Sequence, residues 1–163
     1  MSEAVQGKDR ILMFRVKGDK KAATKLSFQT EHTWKYERKA ESTKTKDGAV
    51  VSDGGLEVTL EIKGISSRDE LNITLANSVI QGQELEIWDI DLAGKKNSNG
   101  QYPAKYAIGK LSSWEVPANV EELSELSTEA SITGCPVDGY ATLSNEQVQA
   151  IQYVFADTIA ITD

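Results

Sequence analysis

The sequence predicts a mainly β protein, a β-sandwich or barrel with helices packed on it. Three observations predict this. Two long stretches alternate apolar and polar residues with period two, the mark of strands with one buried face. About seven strand-like runs stand against only two short helical ones. Turn dipeptides such as Asp47-Gly48 and Asn99-Gly100 punctuate the runs.

The chain is organised around residues 25–63. Leu26, Phe28, Thr30, His32, Trp34 and Tyr36 share one parity, and Ser27, Gln29, Glu31, Thr33, Lys35 and Glu37 the other. The return limb sets Leu56, Val58, Leu60 and Ile62 against Glu57, Thr59, Glu61 and Lys63. Strand side chains alternate between faces, so the first parity of each limb is expected in the core and the second in water. Between the limbs, residues 38–55 are polar and Lys-rich, with Asp47-Gly48 and Asp53-Gly54-Gly55 offering positive-φ positions. This predicts a hairpin with a long projecting loop at 38–55, where most hairpin loops run about 2–5 residues.

The first helix is expected to open at residues 66–70. Ser67 and Glu70 have the spacing of a capping box, and Asp69 and Glu70 suit the positive end of the helix dipole. Leu71, Leu75 and Val79, with Ala76 and Ile80, form an apolar stripe read as a seam on the sheet. Gly82 is placed for a left-handed cap. A second short C-terminal helix is predicted at 144–157, with Ser144 and Gln147 in capping spacing and Val148, Ile151, Tyr153, Val154 and Phe155 as its apolar surface. Further strands are expected at 10–17, 83–91, 102–117, 121–133, 140–143 and 158–163, with Gly109 marking a bulge or bend. Residues 1–9 read as a small polar N-terminal arm.

A length of 163 residues fits one domain, 1–163. A hydrophobic fraction of 39% with 26% charged residues is ordinary for a soluble globular chain and sets aside the disordered class. Cys135 is the lone cysteine, so no internal disulfide forms. The first residues lack a basic segment followed by an apolar run, and no window approaches the roughly 20 apolar residues of a membrane span. No signal peptide and no membrane helix are therefore expected, and manufacture in a cytoplasm is.

Net charge is −7, unevenly spread. Residues 1–50 carry 12 Lys/Arg against 7 Asp/Glu, and residues 51–163 carry 6 against 18. No Lys or Arg follows Lys110. Such asymmetry can draw copies together head to tail, though both blocks also suit plain solvated faces. A nucleic-acid binder would need a net basic footprint, which this chain lacks.

Catalytic patterns are missing. The lone histidine, His32, shares a parity with Phe28 and Trp34 and reads as a packed imidazole. No Gly-x-Ser-x-Gly elbow occurs, and no phosphate-cradling glycine loop precedes a helix. One His and one Cys cannot build a usual structural zinc site. The acidic run Glu84, Glu86, Asp89 and Asp91 lacks the spacing of a calcium loop. The 25 acidic residues offer no pair singled out by spacing for glycoside hydrolysis. The expectation is no catalytic residue, no cofactor and no metal, and a self-associating structural protein before an enzyme.

Three blocks carry a family resemblance: LSFQTEHTWKYERKAESTKTKDGAVVSDGGLEVTLEI, SSRDELNITLANSVIQGQELEIW and YPAKYAIGKLSSWEVPANVEELSELSTEASITG. With them the chain resembles the major tail, or tail tube, proteins of long-tailed, non-contractile phages of Gram-positive bacteria. The likeness spans nearly the whole chain and rests on overall pattern. It implies a tail-tube-like β-sandwich with a flanking helix, and rings, typically hexameric, that stack into a hollow tube for DNA ejection. The implied partners are further copies of the chain and the tape-measure, tail terminator and tail-tip proteins. DNA passes without specific binding, and no membrane is involved. The implied location is the virion, after assembly in the host cytoplasm. No extra immunoglobulin-like C-terminal domain is expected.

Within that resemblance, 38–55 becomes an inter-ring loop with Arg38, Lys39, Lys44, Lys46 and Asp47 as contact candidates. Glu31, Glu57 and Glu61 become lumen-facing candidates, since a negative wall repels phosphate. Two other readings compete. One is the tube of a contractile injection or secretion machine. The other is a carbohydrate-binding β-sandwich, which would want exposed aromatics among Trp34, Trp88 and Trp114.

Overall fold

The computed structural model describes residues 7–118, 120 and 123–143. A 3-10 turn, Gly7–Asp9, leads into β1 (Arg10–Val16), followed by the short β2 (Thr24–Lys25). The long pair β3 (Gln29–Thr45) and β4 (Gly48–Ile65) comes next, then helix α1 (Glu70–Gln81). The strands β5 (Leu85–Asp91), β6 (Tyr102–Glu115), β7 (Glu125–Ile132) and β8 (Val137–Ala141) complete the described chain. All strands join one antiparallel sheet in the order β2-β1-β5-β6-β7-β4-β3, with β8 on β6. β8 continues the line of β7 along the same edge of β6: Gly109 pairs with Ile132, and Tyr106 with Val137.

The sheet curls on itself. β3 and β5 lie far apart in strand order, yet His32 and Trp34 on β3 reach Asp89 on β5. Of the expected alternatives, the observed form is therefore barrel-like. Helix α1 fills the concave side, where Leu71 and Leu75 pack with Leu12, Phe14, Leu60, Ile62, Leu85 and Ile87. The opposite side of β1 and β5 carries a smaller cluster of Ile11, Met13, Ile90, Leu92 and Tyr102. β1 is buried on both faces, which accounts for its unbroken apolar run from Ile11 to Phe14.

Val58, Leu60 and Ile62 are buried as the alternation predicts. Leu56 is 38% exposed. β7 ends with Ile132 opposite Val58, so nothing extends the sheet beside Leu56 on that edge. On the first limb Leu26 is buried, but Phe28 is 65% exposed and Tyr36 47%. The strand begins only at Gln29, and a bulge follows: Gln29 pairs with Gly64 while Glu31 pairs with Lys63. The extra residue, Thr30, puts Gln29 and His32 on the same face and leaves Phe28 out of the core. Gln29 confirms this by bonding inward, donating to the carbonyls of Leu12 (2.9 Å) and Leu26 (2.8 Å).

The helix starts two residues later than the capping-box spacing implies. Asp69 is the N-cap, accepting from the Asn72 backbone N–H at 2.9 Å and its side-chain amide at 2.8 Å. Gly82 closes the helix at φ 67, as expected. Ile80, however, is exposed and Ser78 is buried, its hydroxyl donating to the Leu75 carbonyl. Ile80 follows Leu71 by about two and a half turns and so lies on the opposite side of the helix. Gly109 marks no bulge: it pairs in register with both Leu85 and Ile132. A Cβ there would lie 2.7 Å from the Ser131 carbonyl oxygen, so close strand approach explains the glycine. The irregularity of β6 falls between Leu111 and Ser113. The expected C-terminal helix and last strand lie outside the described residues.

Candidate assembly surfaces

Residues 38–55 are not a loop. The ladder continues from Arg38↔Leu56 to Thr45↔Gly48, leaving Lys46 and Asp47 as the turn. Asp47-Gly48 makes this possible. Gly48 sits at φ 125, the Asp47 N–H donates to the Thr45 hydroxyl, and that hydroxyl donates to the Gly48 carbonyl at 2.7 Å. One bulge interrupts the ladder, with Gly54-Gly55 opposite Lys39 and Gly55 at φ 96. The result is an arm reaching roughly 23 Å beyond Arg38, at about 3.3 Å per residue. Of the contact candidates, Arg38, Lys44, Lys46 and Asp47 are exposed along it, and the side chain of Lys39 lies outside those described. A bare two-stranded ribbon is marginally stable in water, so such an arm gains from a partner.

The face of β3, β4 and β7 away from the helix is polar throughout. Glu31, Thr33, Lys35 and Glu37 stand opposite Lys63, Glu61, Thr59 and Glu57. β7 adds Ser127, Glu129 and Ser131. The candidates Glu31, Glu57 and Glu61 share this face and are exposed. Two like-charge pairs stand directly across the ladder, Glu37 with Glu57 and Glu61 with Glu129. Such pairs destabilise an isolated sheet. Lys35 offsets part of this, lying 3.6 Å from Glu37.

The arm is anchored at its root by a group that the alternation of β5 flags in hindsight. Asp89 lies on the parity of Leu85 and Ile87 and is fully buried. Arg10 donates to both its oxygens, at 3.2 and 2.9 Å. Trp34 Nε1–H donates at 2.6 Å, and His32 Nε2 lies 3.1 Å away. Burial pushes the Asp89 carboxyl up, but His32, Trp34 and Arg10 together hold it below the usual carboxylate range. The cluster locks β1, β3 and β5 together and so sets the direction in which the arm leaves. His32 is thus the packed imidazole expected of it. A cleft of about 720 Å³ opens above the cluster, lined by Lys25, Phe28 and Glu31 among others.

The acidic run Glu84, Glu86, Asp89 and Asp91 does not converge, and three of its members pair with separate cations. Glu84 pairs with Lys17, Glu86 with Arg15, and Asp89 with Arg10. Glu86 is held below its ordinary range by the Arg15 hydrogen bond. Tyr106, which donates to Glu86, is pushed up to about 12 by burial and that carboxylate. Among the described residues no group of three His, Cys, Asp or Glu is poised to hold a metal ion, and no helix is long and apolar enough to cross a membrane. The tryptophans are all engaged. Trp34 bonds Asp89, Trp114 packs on the main core, and Trp88 lies under Arg15 and beside Tyr106.

Exposed charge thus sits on a broad sheet face and an arm, the layout of a subunit that builds an assembly. Comparison with known proteins makes the class specific. The chain belongs to the phage tail tube protein family, whose model matches residues 4–138. It is a structural component of the phage virion, a tail tube subunit. A protein described as a tail protein of Staphylococcus phage phiMR25 is 28% identical, over 97% of this chain and 85% of that one. The solved tail tube of SPP1 shares the fold with a TM-score of 0.73 at 19% identity, covering 98% of this chain and 95% of that one. The tail of a gene transfer agent particle follows with a TM-score of 0.64 at 9% identity, over 85% of this chain and 100% of that one. The sheath-tube complex of an extracellular contractile injection system, PVC, gives 0.53 at 10% identity, over 85% and 93%.

Proposed function

We propose that the chain forms rings that stack into a hollow tube, with the acidic face of β3, β4 and β7 on the lumen. The observation that carries this reading is the pair of like-charge contacts, Glu37–Glu57 and Glu61–Glu129, retained on one polar face. Like charges directly opposite across a ladder are unfavourable for an isolated sheet. On a conduit wall they have a use, because a negative surface repels phosphate and lets DNA slide. Six subunits per ring is the natural number, given that the gene transfer agent tail, which shares the fold, has C6 symmetry. Arg38, Lys39, Lys44, Lys46 and Asp47 on the arm make the contact between rings. The whole chain acts as one tube-building domain, with a structural and not a catalytic role. Assembly takes place in the host cytoplasm, with tape-measure, terminator and tip proteins as partners, and DNA passes unbound.

The test is Glu57→Lys with Glu61→Lys in assembled virions. Tubes still form, and DNA ejection slows because phosphate now binds the wall. Ejection at the normal rate from such virions would overturn a lumen role for these positions.

A further inference from the structure

We propose that one row of side chains on the acidic face touches the phosphates of passing DNA, a basic girdle set between acidic ones. The inference rests on the lumen reading above and names the chemistry of that wall. Residues paired across a ladder point to the same face, so the strand registers order this face into rows. Lys35 pairs with Thr59, Thr59 with Ser131, and Ser131 with Lys110. The row crosses β3, β4, β7 and β6, and at about 4.8 Å per strand its two lysines stand roughly 14 Å apart. Both lysines and Ser131 are exposed. The residues next to them in each strand, Trp34, Leu60, Ala130 and Leu111, pack in the main core, which fixes the outward direction of the row.

The rows on either side are acidic. Towards the hairpin tip Glu37 stands opposite Glu57, and on the other side Glu61 lies between Thr33 and Glu129. Successive rows on one face are roughly 6.6 Å apart, two residues at about 3.3 Å each. The row beyond adds Lys63, but Glu31 stands directly opposite it. Among these rows of described residues, that of Lys35 and Lys110 is the one without a carboxylate.

Chemistry selects the ligand. Lys, Thr and Ser all donate to phosphate oxygens, and such contacts read no base sequence. Lys35 lies 3.6 Å from Glu37, with the two side chains 59% and 54% exposed, so a phosphate can compete for it. The rows are closer together than the Debye length of about 8 Å, so DNA at a distance meets them as one surface. These rows hold more carboxylates than lysines, and that surface repels. Only DNA pressed to the wall meets the lysines singly. The contact is therefore brief, and it recurs once in every ring as a drag on the moving duplex.

The test compares DNA ejection from virions built with Lys35→Gln and Lys110→Gln with that from unaltered virions. The ratio of the two rates is followed against salt, because the pressure of the packaged DNA cancels in the ratio. The Gln pair ejects faster, by roughly threefold or more at about 50 mM salt, and the ratio approaches one as salt screens the phosphate contacts. Lys35→Arg with Lys110→Arg keeps the charge and ejects at close to the unaltered rate. Denaturation midpoints of the subunits control for folding. If the Gln pair gives no virions, each single change is read in its place. A ratio of one at every salt concentration, with Glu57→Lys and Glu61→Lys still slowing ejection, overturns the girdle and leaves the lumen reading standing. If neither pair of changes alters ejection, the lumen reading falls and the girdle with it. A Gln pair that alters tail length while ejection is unchanged would place a protein partner on the row and equally overturn the proposal.

Discussion

Replacing Asp89 by Ala destabilises the unassembled subunit by about 3 kcal/mol, the lower end of the roughly 3–5 expected for breaking a buried ion pair. Asp89 is fully buried and accepts from Arg10 and Trp34, with His32 Nε2 in contact. Its removal strands those three groups at once, and a buried donor without a partner loses its full hydration. The lower end applies because the cleft above the cluster lets water reach part of it. Urea midpoints, taken below the concentration of assembly, measure the effect. A loss under about 1 kcal/mol, the scale of a surface pair, would show that the cluster does not hold the sheet closed.

Acid makes the same point without mutation. Asp89, Glu86 and Asp69 all titrate below their ordinary values in the folded chain. A carboxyl with a lowered folded-state pKa adds stability above its unfolded value, about 4, and loses it as pH falls through the folded value. Urea midpoints are therefore expected to fall as pH drops below about 4. In Asp89→Ala the fall is shallower, because one contributor is already gone.

Leu60→Ala is the second large effect, about 3–5 kcal/mol, the upper part of the range for buried leucine. Leu60 is fully buried between Trp34 on β3 and Ala130 on β7, facing the helix residues Leu71 and Leu75. Sheet neighbours on both sides hold their places, so the cavity cannot collapse. Leu56→Ala, on the same parity but 38% exposed, costs only about 1 kcal/mol. A loss at Leu60 no larger than about 1 kcal/mol would mean that the register of β4 is wrong, since a one-residue slip moves its whole apolar parity into water.

The contrast between Leu60 and Leu56 also shows what the sequence makes legible. Alternation in 56–62 locates the buried face, and Gly82 locates the helix end, because both are local rules. Where the core stops is not local: Leu56 is exposed because β7 ends at Ile132, more than seventy residues away. Phe28 departs from its sequence parity for a related reason, since a bulge at Thr30 shifts the register without any glycine or proline to announce it. The arm read as a loop because residues 38–55 lack the apolar alternation of a half-buried strand. A ribbon with no core behind it does not need one. Glu31, Glu57 and Glu61 could be placed on one wet face from parity alone, and the structure puts them there. Asp89 was visible as a charge on the buried parity of β5. Its partners, from β1 and β3, become adjacent only when the sheet curls.

The most direct measurement is an electron cryomicroscopy map of tubes grown from the purified chain. The account predicts stacked rings with Glu31, Glu57 and Glu61 pointing to the central axis and helix α1 outside the wall. A map with α1 on the axis, or with the β3–β4–β7 face buried between subunits, would contradict it.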